Sequence, residues 1–179
     1  MQPTRSAEGS SDPYWSDERD REGRMGRIFA ILGRQPDRDR IAFFAAKSNN
    51  DNFVAYVWNA DRSELEPFWI STENVAAERR DPLNVAEEML YGTEMTVTPS
   101  GDWLINVRAE PIKTRKFNFA LDDSDRPVLT GAVNNTLCVL ESAYIQMKRG
   151  LLPDVEHVVL TGRNLNTGAT EVEILRNLQ

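Results

Sequence analysis

Lys47–Trp58 reads K-S-N-N-D-N-F-V-A-Y-V-W, a polar asparagine-rich turn running straight into alternating bulky apolar residues. Side chains along a strand point to opposite faces in turn. Phe53, Ala55 and Val57 therefore belong to one face, and Val54, Tyr56 and Trp58 to the other. Both faces are apolar, so both expect cover. The layout is that of a β-hairpin whose turn, Asn49–Asn52, either shapes a ligand-binding mouth or turns a corner. Asparagine suits such a turn because it tolerates left-handed backbone and bonds its own main chain.

Outward from this stretch the same pattern repeats. R-I-F-A-I-L from Arg27 and R-I-A-F-F-A-A from Arg40 flank Gly33–Asp37 and read as two strands joined by a loop. L-E-P-F-W-I-S follows from Leu65. Later come E-M-T-V-T, D-W-L-I-N-V-R, K-F-N-F-A-L, P-V-L-T-G, V-E-H-V-V-L-T-G and T-E-V-E-I-L, separated by turn residues. Leu137–Lys148 is long enough for a helix, but its β-branched and aromatic residues favour a strand. One helix stands out, Asp81–Leu90. Asp81 is its expected cap, Pro82 its first residue, Leu83, Ala86, Met89 and Leu90 its buried face, and Gly92 its left-handed stop. The expected fold is mainly β, a single antiparallel β-barrel or sandwich with one short α-helix, spanning residues 27–179.

Residues 1–26 form a polar N-terminal extension, expected to be disordered by itself because it offers too little apolar area to offset ordering entropy. Tyr14 and Trp15 interrupt it, and such an aromatic pair either sits there by chance or anchors on a partner surface. The chain has 179 residues and a formal net charge of -7, which disfavours a general nucleic-acid or anionic-membrane binder. No apolar run approaches the roughly 20 residues that span a bilayer, and the N-terminus lacks the apolar stretch of a secretory signal. The expectation is a cytoplasmic protein without a membrane span.

Little in the chain carries chemistry. His157 is the only histidine and Cys138 the only cysteine, each on an apolar run, so no zinc site is expected. Asp122–Asp125 lacks the glycine and distal glutamate of a calcium loop and reads as a solvated turn. There is no phosphate loop and no nucleophile elbow. No catalytic residue, metal or cofactor is expected. An enzyme would have to assemble Lys47, Tyr56, His157 and carboxylates through the fold. Tyr56, Trp58, Trp69 and Trp103 either fill the core or line a barrel that grips a planar ligand.

Several stretches together resemble an uncharacterised domain-of-unknown-function family of small, mostly bacterial proteins, DUF4833. They are Lys47-Ser48-Asn49 with Asn52 and Tyr56, then Pro67–Ile70, then Glu87–Gly92, then Val155–Leu160, Gly162, Thr167-Gly168 and E-V-E-I-L, covering about Ile28 to Leu175. The resemblance implies one β-rich domain and supplies no activity. The expected function is a non-catalytic accessory module that docks on a larger protein, with Tyr14 and Trp15 at the contact. The alternative is a small-molecule carrier binding through Lys47, Asn49, Asn52, Tyr56, Trp58 and Trp69.

Overall fold

The structure is a computed structural model, and it describes residues 13–72, 80–108, 112–148 and 154–176, with side chains from residue 18. In chain order the elements are α1 (Pro13–Gly33), β1 (Ile41–Lys47), β2 (Asn52–Asn59), β3 (Glu64–Ser71), β4 (Arg80–Pro82) and α2 (Val85–Tyr91). They continue with β5 (Thr93–Val97), β6 (Trp103–Val107), β7 (Lys116–Leu121), β8 (Pro127–Val133), β9 (Thr136–Met147), β10 (Val155–Asn164) and β11 (Thr170–Arg176). The strands join in one sheet with the order β4-β3-β2-β1-β9-β8-β7-β6-β5, curled into a half-barrel, while β10 lies on β9 and β11 on β10.

Strand β9 organises the sheet. Its residues Val139 and Cys138 pair with Thr130 and Gly131 of β8, and Ser142–Ile145 pair in parallel with Phe44–Lys47 of β1. All of these β9 residues also pair with β10, which holds the other edge. Strands β8 and β1 therefore share one edge of β9, and the sheet forks into two wings, β1–β4 and β5–β8. The parallel β1–β9 pair is the exception to an otherwise antiparallel arrangement. Strands β9 and β10 shift register between Thr161 and Gly162 and approach closely at Gly162, where a Cβ would lie 2.8 Å from Cys138 Cβ and 2.9 Å from the Val139 carbonyl oxygen.

The two wings enclose one apolar cluster. Phe43, Val54, Tyr56, Trp58 and Leu65 come from the first wing, Ile105, Phe117, Phe119 and Leu129 from the second, with Leu140, Val158 and Leu160 from the strands between. The opposite face of β1–β3 and β9–β10 carries Phe44, Ala46, Phe53, Ala55, Val57, Ile70, Tyr144 and Val159, covered by Ile28 and Ile31 of α1. The alternation of F-V-A-Y-V-W thus divides as its sequence requires, one set into each cluster.

Helix α1 differs from expectation. Arg27–Leu32 is its C-terminal part rather than a strand, and the helix runs without a break through positions 26 and 27. Met25, Ile28, Ile31 and Leu32 recur at the helical spacing and pack on the outer sheet face. The alternation within R-I-F-A-I-L resembles a strand only when Met25 is left out. The Gly33–Asp37 segment accordingly joins a helix to a short 3-10 turn, not two strands.

Helix α2 is also shorter than the sequence pattern suggests. Asp81 and Pro82 belong to β4, pairing with Trp69 and Phe68. Asn84 is the cap: its side chain accepts from the Glu87 N–H, and the Glu87 carboxylate accepts from the Asn84 N–H, a reciprocal capping box. Gly92 ends the helix at φ -57, outside the left-handed region. The expected buried face is largely inverted, since Ala86, Met89 and Leu90 are exposed. Leu83 before the helix and Tyr91 at its end carry the core contacts instead.

Candidate functional site

The residues singled out from the sequence fall into three places. Lys47, at the end of β1, shares its face with Phe43 and Ala45 and so points towards the inner cluster. Its Nζ lies 4.9 Å from the centre of the Tyr91 ring, and partial burial pulls its pKa below the ordinary lysine value. Tyr56 is fully buried, stacks on Phe43 with ring centres 4.1 Å apart, and donates its hydroxyl to the Tyr91 carbonyl at 2.8 Å. Burial pushes the Tyr56 hydroxyl far above the usual phenol range. Trp69 meets the Tyr91 ring edge-on at 5.3 Å.

Lys47, Tyr56 and Trp69 thus converge on Tyr91, the hub that sequence reasoning passed over. The signals for it were its position at the close of the amphipathic α2 segment and its place in the Glu87–Gly92 stretch of the family resemblance. Trp58 belongs elsewhere, wedged between Phe119 at 4.6 Å and Trp103 at 5.8 Å where the wings meet. Asn49 is exposed in the turn after β1, and Asn52 opens β2. The turn is built by Asn50, whose Oδ1 accepts from the Asn52 N–H at 2.9 Å. None of its residues has a positive φ, so its geometry is an ordinary side-chain-stabilised turn rather than a left-handed one. Tyr14 and Trp15 lie in the first turn of α1, and their side chains are outside the described residues.

These positions decide what the arrangement can do. The aromatic rings of the inner face spend their surfaces on one another, as core side chains do. His157 lies on the outer face, since Val158 beside it points into the inner cluster. It cannot join Lys47 and Tyr56 without crossing the sheet. Cys138 is buried, and that burial pushes its thiol pKa up, the opposite of an activated nucleophile. Asp122 accepts from the Ser124 and Arg126 N–H groups and closes its own turn. Among the described residues, no three of His, Cys, Asp and Glu gather as a metal site would need. Nor is any described helix long and apolar enough to cross a membrane.

The open feature is the seam where the wings end. Strand β3 is paired by β4 over Phe68–Ile70, and among the described residues no strand pairs the Leu65 end of that edge. Among the described residues, strand β5 pairs with β6 alone. The two edges touch where the Thr93 hydroxyl donates to the Leu65 carbonyl at 3.1 Å. Beyond that contact they border a groove of about 550 Å³, with Leu65, Phe68, Leu83 and Met95 on its walls and Glu64, Glu66 and Glu88 around them. Arg62 reaches Glu64 and Glu66 at 3.6 and 3.3 Å. Three carboxylates against one guanidinium leave the groove acidic. Beside it, α2 turns Val85, Met89 and Leu90 outward, 81%, 69% and 53% exposed.

A family model described as "Domain of unknown function (DUF4833)" matches residues 43–173, well over half of the chain. The match begins in β1 and ends in β11, so it covers both wings and leaves α1 outside. No curated protein and no solved structure matches the chain.

Proposed function

We propose, for a chain that belongs to the DUF4833 family, a non-catalytic role as an accessory module that docks on a larger protein. One observation carries this reading: the apolar side chains of α2 face outward beside the seam groove. A short helix with an exposed Val-x-x-x-Met stripe normally buries that stripe against something. The acidic groove next to it favours a partner segment that sets a basic side chain among apolar ones. Tyr14 and Trp15, at the start of α1, add a second contact in the proposal.

Affinity capture from source lysate with quantitative mass spectrometry tests the reading. Wild-type protein should enrich a partner that Val85→Glu/Met89→Glu loses, and that a Tyr14→Ala/Trp15→Ala variant holds more weakly. An unchanged partner set with the α2 double variant would remove the proposal. Truncation at residue 26 is unsuitable, because it cuts α1 ahead of Ile28 and uncovers the outer core. Native mass spectrometry of the same preparation separates the carrier reading, which requires a retained small molecule. The mutual packing of Phe43 with Tyr56 and of Trp58 with Phe119 weighs against that reading.

A further inference from the structure

Among the described residues, strand β11 is the longest edge of the sheet that no further strand pairs. It pairs with β10 from Thr170 to Arg176 without a register shift, and among the described residues no strand lies on its other side. An edge strand presents a row of unpaired N–H and C=O groups, a template for another strand, and proteins blunt such edges with proline, charged and inward-pointing charged residues, bulges or short length. The other free edges of this molecule follow that practice. Strand β4 has three residues and ends on Pro82, while β5 meets β3 through Thr93. Strand β11, T-E-V-E-I-L-R, has no proline, no glycine, no lysine and no bulge, and its inward carboxylates are already engaged, Glu171 by the Asn164 side-chain amide and Glu173 by Arg115.

Its side chains alternate cleanly. Glu171, Glu173 and Leu175 are half-buried on the inner side, and Thr170, Val172, Ile174 and Arg176 are exposed on the outer side. Val172 is 47% and Ile174 40% exposed, two β-branched residues on a solvent face that alternation would normally give to polar ones.

We propose that the free edge of β11 pairs with β11 of a second copy of this chain, antiparallel, about a two-fold axis at Glu173. One register uses the whole strand. It sets Thr170 opposite the partner's Arg176, Glu171 opposite the partner's Leu175, and Val172 opposite the partner's Ile174. The outer side then carries four adjoining apolar side chains, two from each copy, as cross-strand pairs. The strand is complementary to itself, which is the requirement of an isologous contact and the reason for choosing a second copy over a foreign strand.

Glu173 would face its own counterpart across the axis, and like charges there normally oppose pairing. In this fold the charge is already compensated. Arg115 donates to both oxygens of Glu173, at 2.6 and 2.9 Å, and the Asn134 N–H donates at 2.9 Å. Each copy therefore brings a closed ion pair to the axis instead of a bare carboxylate. One strand a side is a small contact, so the dimer dissociates on dilution.

Sedimentation velocity across roughly micromolar to millimolar protein tests this. The mass of the wild-type chain should rise from one copy to two. Ile174→Lys and Val172→Lys, each on an exposed face and each expected to keep the far-ultraviolet circular dichroism, should stay at one copy throughout. Hydrogen exchange at high concentration should slow at β11 amides in wild type and not in the variants. A wild-type chain that remains monomeric overturns the proposal. So does a dimer that both lysine variants retain, or one that leaves β11 exchange unchanged. Protection of β11 that appears only with a different protein bound also overturns it. The variants leave α2 intact, so this test and that of the docking surface succeed or fail separately.

Discussion

Replacing Trp58 by alanine asks whether the inner aromatic face is a packed core or a ligand lining. Trp58 is 8% exposed and lies against Phe119 and Trp103 from the opposite wing. A tryptophan buries about 150–250 Å², which at about 25 cal/mol per Å² gives roughly 4–6 kcal/mol as an upper bound. Truncations of buried aromatics to alanine cost about 3–5 kcal/mol, since the surroundings relax only in part. We expect a loss of about 4 kcal/mol, a large share of the roughly 5–15 kcal/mol that keeps a domain folded. Urea unfolding followed by far-ultraviolet circular dichroism avoids the altered tryptophan signal. With a slope of about 1–3 kcal/mol per molar, the midpoint should fall by more than about 1 M. A cycle with Phe119→Ala should show a coupling of about 0.5–1.5 kcal/mol. A loss under about 1 kcal/mol with an unchanged slope would refute the packed-core reasoning and restore the ligand-lining one.

Other expectations follow from single contacts. Tyr56→Phe leaves the buried Tyr91 carbonyl without its donor, and should cost about 1–3 kcal/mol in the same unfolding assay. Gly162→Ala drives a methyl against Cys138 Cβ and the Val139 backbone oxygen. Because backbone cannot yield as a side chain can, we expect a loss of about 1–3 kcal/mol, and a fully stable variant would contradict the close approach of β10 to β9. Asn84→Ala removes the α2 capping box; it should cost about 1 kcal/mol and speed amide exchange in α2 first. The Arg115 guanidinium holds the Glu173 carboxyl below its ordinary value of 4.5. Its contribution is therefore complete above that value and is lost as pH falls through the lower folded pKa. Thermal unfolding of wild type should decline more steeply below about pH 4.5 than that of Arg115→Met; parallel curves would show that the pair adds nothing.

The two clusters divide the work of the chain. The inner one locks the wings together through Trp58, Trp103 and Phe119, and the outer one seats α1 through Ile28 and Ile31. Exposed apolar side chains left over by both include Val85, Met89 and Leu90 beside the seam and Val172 and Ile174 on β11.

Sequence alone determined most of the strands, and the faces of the central one. In Phe53–Trp58 a period of two fixes which side chains share a side, whatever the neighbours turn out to be, and the sorting into two clusters follows. The family signature was legible for the same local reason. Tertiary structure decided the rest. R-I-F-A-I-L satisfies both periods, and only the outer sheet face, which needed covering, selects the helix. The parallel pairing of β1 with β9 joins residues about a hundred positions apart, and no local pattern encodes it. Tyr91 became a hub, and the apolar stripe of α2 turned outward, because Leu83 and Tyr91 tether both ends of a two-turn helix to the core. Periodicity states that a face is apolar; only the fold decides whether the protein's own chain or another molecule covers it.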